Sequence, residues 1–242
     1  MSLLTVIQNA SKELGLTTPS TAYANTDPIV VQMVALANRA GKQVRDLYYW
    51  PQLLREATVT LIDATASYSL PTDFNTAVME THWDQAGDLA MLGPLSPGEW
   101  QAWQQGITPA PNRSMYRIKG FGANKINLIP TPTAAEAGNT LLYEYQSTFW
   151  LTTVAGATPT LEAFTADTNV IFFREDLLEL DIIWRWRRAK RLDYGAEMAE
   201  SVVAWRSEAT AKQGAPTIDL ANRGGARFLG PDNVPDRHSW YT

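Results

Sequence analysis

The chain has 242 residues, 45% hydrophobic and 19% charged, with 15 Gly and 14 Pro; this suits one large domain or two small packed ones and excludes collagen-like, coiled-coil and wholly disordered organisation. No apolar run approaches the roughly 20 residues that span a bilayer, the opening MSLLTVIQNA lacks the basic start and apolar centre of a secretory signal, and no membrane partner is expected. With no Cys, disulfides, thiolate metal sites and cysteine nucleophiles are removed, as suits folding in a reducing cytoplasm, and a net charge of −5 argues against a sequence-specific DNA binder.

The first segment reads as a short amphipathic helix. Leu3, Ile7, Ala10 and Leu14 recur at helical spacing, and Gly15 stands where a left-handed cap is wanted. After a Thr- and Ser-rich linker, Asp27-Pro28 combines a capping carboxylate with a proline that needs no N–H. The helix it opens carries Ile29, Met33, Leu36, Ala40, Val44 and Leu47 as one stripe. It should stop near Tyr49, because Trp50 precedes Pro51.

The period then falls from 3.6 to 2. Residues 55–62 alternate Ala57, Val59 and Leu61 against Glu56, Thr58 and Thr60. A polar turn leads to a short strand with Tyr68 and Leu70, and residues 76–83 alternate again. Ser96-Pro97-Gly98-Glu99 is a capping box that starts a short helix carrying Trp100 and Trp103. Further strands are expected at 115–119, 125–129 and 140–147, which together suggest a small antiparallel sheet or sandwich. Residues 151–169 are Thr- and Ala-rich and read as an extended loop, with a weak strand as the alternative.

Helix returns at Arg174. Acidic Glu175, Asp176 and Glu179 precede basic Arg185, Arg187, Arg188, Lys190 and Arg191, the order that complements a helix dipole. Past a break at 193–195, Met198, Val202, Trp205 and Ala209 form a second stripe, so the two helices make a hairpin. Residues 214–242 hold no stripe able to bury itself, yet Phe228, Leu229, Trp240 and Tyr241 are scattered among balanced charges. Such an arm suits lying on another surface, and extended it would reach about 95 Å at roughly 3.3 Å per residue; a frayed terminus is the competing reading. The expected class is α+β: N-terminal helices (1–53) and a C-terminal hairpin (174–213) form a helical bundle, an inserted antiparallel β-rich domain spans 54–173, and the arm follows.

Catalytic signatures are sparse. His82 and His238 have no metal-ligand spacing between them, and Glu175, Asp176, Glu179 and Asp181 stand where helix-start carboxylates stabilise a dipole. No catalytic group, metal or cofactor is therefore expected. Trp184 and Trp186 interleave with the arginines, and guanidinium groups stack on rings and bridge to carboxylates. Arg185, Arg187, Arg188 and Arg191 are accordingly candidates for contact with an adjacent subunit. A carbohydrate-binding β module, with Trp83, Trp100 and Trp103 as a stacking platform, is the alternative from a different class. A hydrolase built on the 175–181 carboxylates is a third.

Three blocks carry a family resemblance. The first is Tyr48-Tyr49-Trp50-Pro51, Glu56-Ala57-Thr58-Val59-Thr60-Leu61 and Tyr68-Ser69-Leu70-Pro71-Thr72-Asp73-Phe74. The second is Lys125-Ile126-Asn127-Leu128-Ile129-Pro130 with Leu141-Leu142-Tyr143-Glu144-Tyr145-Gln146-Ser147. The third is the hairpin at 177–212 with Leu192-Asp193-Tyr194 at its break. Over roughly residues 29–212 the chain resembles the head-to-tail adaptor proteins of tailed bacteriophages, including the tail tubular protein A type. The resemblance implies a non-enzymatic virion component of the neck, assembled in the host cytoplasm as a ring, usually dodecameric, beneath the portal. Such a ring extends the DNA channel without binding DNA specifically and docks the next tail protein, of nozzle type. It also implies that the C-terminal segment grips the portal, which makes Arg223, Arg227, Phe228, Leu229, Arg237, Trp240 and Tyr241 the candidate portal-binding residues.

Overall fold

The N-terminal helices form where capping chemistry puts them. The computed structural model describes residues 2–106, 113–120 and 124–213. Helix α1 spans Leu3–Glu13, with the Ser2 side chain accepting from the Thr5 amide and Gly15 at φ +69° just beyond its end. Helix α2 spans Pro28–Leu47, and Asp27 accepts from the Ile29 amide at 2.8 Å. Its buried face is rotated from the expected stripe. Val30, Met33, Ala37, Ala40, Gly41 and Val44 are buried, whereas Leu47 is 57% exposed. The cause is the indole of Trp150, which lies so close to Gly41 that an added Cβ would come within 2.1 Å of it. Only the small-residue face of α2 admits that ring.

A 3-10 turn at Pro51–Leu53 leads into β1 (Leu54–Thr60). This strand pairs antiparallel along its whole length with β8 (Thr140–Ser147), from Leu54 opposite Gln146 to Thr60 opposite Thr140. The alternation read at 76–83 is broken into two short strands, β3 (Phe74–Ala77) and β4 (Trp83–Asp84), which share the other edge of β8. Glu80 takes φ +63° between them, and the Thr81 hydroxyl bridges the gap, donating to the Val78 carbonyl and accepting from the Glu144 amide. Strand β5 (Leu89–Ala90) extends this sheet beyond β4. A second sheet orders β2 (Ser67–Ser69), β7 (Lys125–Ile129) and β6 (Met115–Lys119). Helix α3 (Pro97–Gln104) begins with the expected capping box between Ser96 and Glu99.

A two-stranded ribbon of β9 (Leu151–Thr152) and β10 (Val170–Ile171) precedes the hairpin of α4 (Glu175–Ala189) and α5 (Gly195–Gln213). Buried apolar residues fall into two clusters. One joins α1, α2, α4 and α5 and takes in Trp50, Leu53, Trp150, Leu151, Phe164, Ile171 and Phe173. The other lies among the strands and holds Val59, Tyr68, Tyr116, Ile126, Leu141 and Tyr143. The stretch 150–173 therefore packs with the helices, although in sequence it follows the strands. Polar side chains join the two parts. Gln146 donates to the carbonyls of Arg45 and Tyr48, and Arg45 donates to the Thr148 carbonyl. Within the β part, buried Asp73 accepts from Arg55 (2.7 Å), Tyr145 (2.9 Å) and Ser147 (2.7 Å).

Candidate interaction surface

The helical hairpin is organised around a buried carboxylate. Asp181 accepts from the Trp184 indole at 2.8 Å, from Arg185 at 3.1 Å and from the Ser201 hydroxyl. The last bond draws the Ser201 face of α5 inward, so that Ser201, Trp205, Glu208 and Ala209 are buried. Met198 and Val202, which the sequence places in the core, are each 41% exposed.

The four arginines of α4 divide in two. Arg185 pairs with Asp181 and lies 4.3 Å from the centroid of the Trp184 ring. Arg187 pairs with Glu197 across the hairpin. Both charges are thus committed within the chain. Arg188 and Arg191 are exposed and join none of the ion pairs seen among the described residues. Lys190 lies 5.6 Å over the Trp186 ring.

Between the end of α2 and the hairpin runs an open trough of about 460 Å³. Val44, Leu47, Trp184, Met198 and Val202 make it apolar, and Arg185, Arg206 and Asp46, the last paired with Arg45, stand among its walls. The sequence hides this trough because its floor consists of residues whose spacing equally suits a core. On the other flank of α5 lies a cleft of similar volume lined by Glu13, Asp176, Glu179 and Glu200 with Arg174. There the Glu179 carboxyl is raised above its ordinary range by burial, and further by Glu175, Asp176 and Glu13, against the opposing bond from Asn9 at 2.8 Å.

Other candidates from the sequence are placed differently. Trp100 is only 3% exposed, beneath Lys119 at 5.1 Å, so Trp83, Trp100 and Trp103 do not form an open stacking platform. His82 is buried between Tyr116 and Tyr143, and burial lowers its pKa to about 4. Asp181 is a structural acceptor, its carboxylate taken up by Trp184, Arg185 and Ser201. Arg223, Arg227, Phe228, Leu229, Arg237, His238, Trp240 and Tyr241 lie outside the described residues.

Among the described residues no helix is long and apolar enough to cross a membrane. A comparison with curated proteins gave no match. A comparison with protein families matched residues 1–234 to the SU10 adaptor protein family. That range takes in the helices, both larger sheets and the hairpin, and agrees with the resemblance carried by the blocks from Tyr48 to the hairpin break. The chain belongs to the SU10 adaptor protein family and is a structural adaptor of a bacteriophage.

Proposed function

We propose that the chain is one subunit of a ring in the virion neck, twelve-membered as the resemblance implies, seated between the portal and the next tail protein. Family membership across residues 1–234 carries this reading. The geometry adds to it. The hairpin presents exposed apolar residues and uncommitted arginines, which a subunit buried on its flanks would use. Arg188 and Arg191 face a neighbouring subunit, while Arg185 and Arg187 hold the hairpin in shape. Residues 214–242 bind the portal through Arg223, Arg227, Phe228, Leu229, Arg237, Trp240 and Tyr241. A net charge of −5 lets DNA of any sequence pass without adhering.

Deleting residues 214–242 tests the portal contact. The shortened chain should keep its helical circular dichroism and lose binding to an isolated portal ring. Binding at full strength by the shortened chain overturns the role of this segment.

A further inference from the structure

The two flanks of α5 differ in chemistry. Each helical residue advances about 100°, so Met198, Val202 and Arg206 form one stripe, whereas Glu200, Ala204 and Ser207 lie on the far side. The first stripe borders the apolar trough. The second borders the acidic cleft, whose other carboxylates come from α1 and from the start of α4. On α4, Arg188 lies about one turn beyond Arg185, on the same side of the helix and nearer the hairpin tip. One side of the hairpin is therefore apolar with an arginine rim, and the other is rich in carboxylates.

We infer that the trough is the seat of a second copy of this chain, whose acidic α1–α4–α5 flank meets the Arg188–Arg206 rim and covers Leu47, Met198 and Val202. This rests on the ring reading above and names the surfaces that would build the ring.

Charge selects the occupant. Arg188 and Arg206 join none of the ion pairs among the described residues, and the matching carboxylates are on the same chain: exposed Glu13 and Glu200 line the acidic cleft beside Glu179 and beside Asp176, which pairs with Arg174. In a two-fold contact of the trough with itself, arginine rim would face arginine rim, a like-charge arrangement that association disfavours. Two unlike surfaces on opposite sides of one helix instead make a head-to-tail contact, the kind that closes into rings. The apolar floor supplies the part of the contact that salt does not screen.

Complementary charge reversal tests this. One variant carries Arg188→Glu with Arg206→Glu; the other carries Glu13→Lys with Glu200→Lys. All four positions are exposed, so both variants should fold, as circular dichroism would verify. Assembly is followed by sedimentation velocity and electron microscopy, for the protein alone and on a portal ring. Each variant by itself should associate about tenfold more weakly than the natural chain, or worse. An equal mixture should recover association, because each reversed rim then meets a reversed flank and each natural rim a natural flank. Recovery in the mixture and loss in either variant alone is the expected result.

If the natural chain forms rings and the variants assemble as well as it does, the surface is wrong while the ring stands. If the variants lose portal binding but the mixture recovers nothing, the trough belongs to the portal and the inference is overturned. A natural chain that stays single even on the portal overturns both readings. Val202→Asp adds an independent check, since a charge on the apolar floor should block assembly by the natural flank.

Discussion

The helical and β parts of the molecule keep their interiors dry by different means. In the helical part, most indole and phenyl pairs meet edge to face, Trp150 with Phe164 at 5.2 Å, Phe173 with Trp205 at 4.9 Å and Trp50 with Trp205 at 6.1 Å, while Trp150 and Phe173 lie parallel at 6.3 Å. The indole N–H groups of Trp50 and Trp150 donate to the carbonyls of Val44 and Glu162. In the β part, rings lie flat on one another, with His82 4.0 Å from Tyr116 and 5.2 Å from Tyr143. Burial pushes the hydroxyl of Tyr143 up to about 12, and likewise that of Tyr145, which also lies beside Asp73. The helical core thus depends on the fit of its rings against small residues such as Gly41, and its buried carboxylate Asp181 is held by three donors. The β core depends on several groups staying neutral. The exposed apolar trough and the charged flanks lie on the part whose rings pack by shape.

The largest effect should come from breaking shape. Trp150 is fully buried, and Trp150→Ala should cost about 3–5 kcal/mol. Gly41→Ala attacks the same contact from the opposite side by overpacking, at about 1–3 kcal/mol. In both variants amide hydrogen exchange should speed up first in α2 and α4, while Ile126 and Leu141 in the β part stay protected at moderate denaturant. Equal loss of protection in both parts would mean that the two clusters unfold as one unit, and the contrast drawn above would fail. Because Gly41 and Trp150 touch, their combination should cost less than the sum of the two.

This contact also marks where reading the sequence stops. Local signals were legible: Asp27-Pro28 starts α2, Ser96-Pro97-Gly98-Glu99 starts α3, and the strands at 115–119, 125–129 and 140–147 stand at the expected residues. What failed depended on partners distant in the chain. Nothing near residue 41 announces an indole from residue 150, so the buried face of α2 departs from the periodic stripe by a fraction of a turn. The alternation at 76–83 continues through Glu80, yet the backbone turns there because β8 offers two separate pairing sites. In the hairpin, the basic run was visible as a candidate contact surface. Its division into committed and uncommitted arginines was hidden, since it depends on Asp181 and Glu197 lying beside it. The trough is hidden for the same reason: an exposed Met198 and a buried one look alike in a helical pattern.

Acid should separate the two parts next. His82 has a pKa of about 4 in the folded chain against an ordinary 6.5, because burial disfavours the imidazolium. The depressed folded value means that protons favour the unfolded β part. Its contribution is fully present above pH 6.5, is lost as pH falls towards 4, and levels off below that. The loss amounts to about 3 kcal/mol. Urea midpoints measured between pH 7 and pH 4 should therefore fall more steeply for probes in the β part than for those around Trp150. His82→Phe should flatten this difference, while the neutral-pH midpoint shifts by less. A pH response that survives the substitution would place the sensitive group elsewhere.

The smallest effect sharpens the contrast from the helical side. Asp27 is exposed and touches no core residue; its carboxylate accepts from the Ile29 amide, and Pro28 provides the first helical residue. Asp27→Ala leaves that amide to water and removes a negative charge from the positive end of α2, at a cost of about 1 kcal/mol. The loss should appear in the helical part alone, as faster exchange in the first turn of α2 and a slightly lower midpoint for the helical probes. Asp27→Asn keeps an acceptor and should recover most of it. If Asp27→Ala instead lowered the β part by the same amount, the polar ties at Gln146 and Arg45 would be transmitting stability between the cores, and the parts would differ in chemistry without differing in cooperativity.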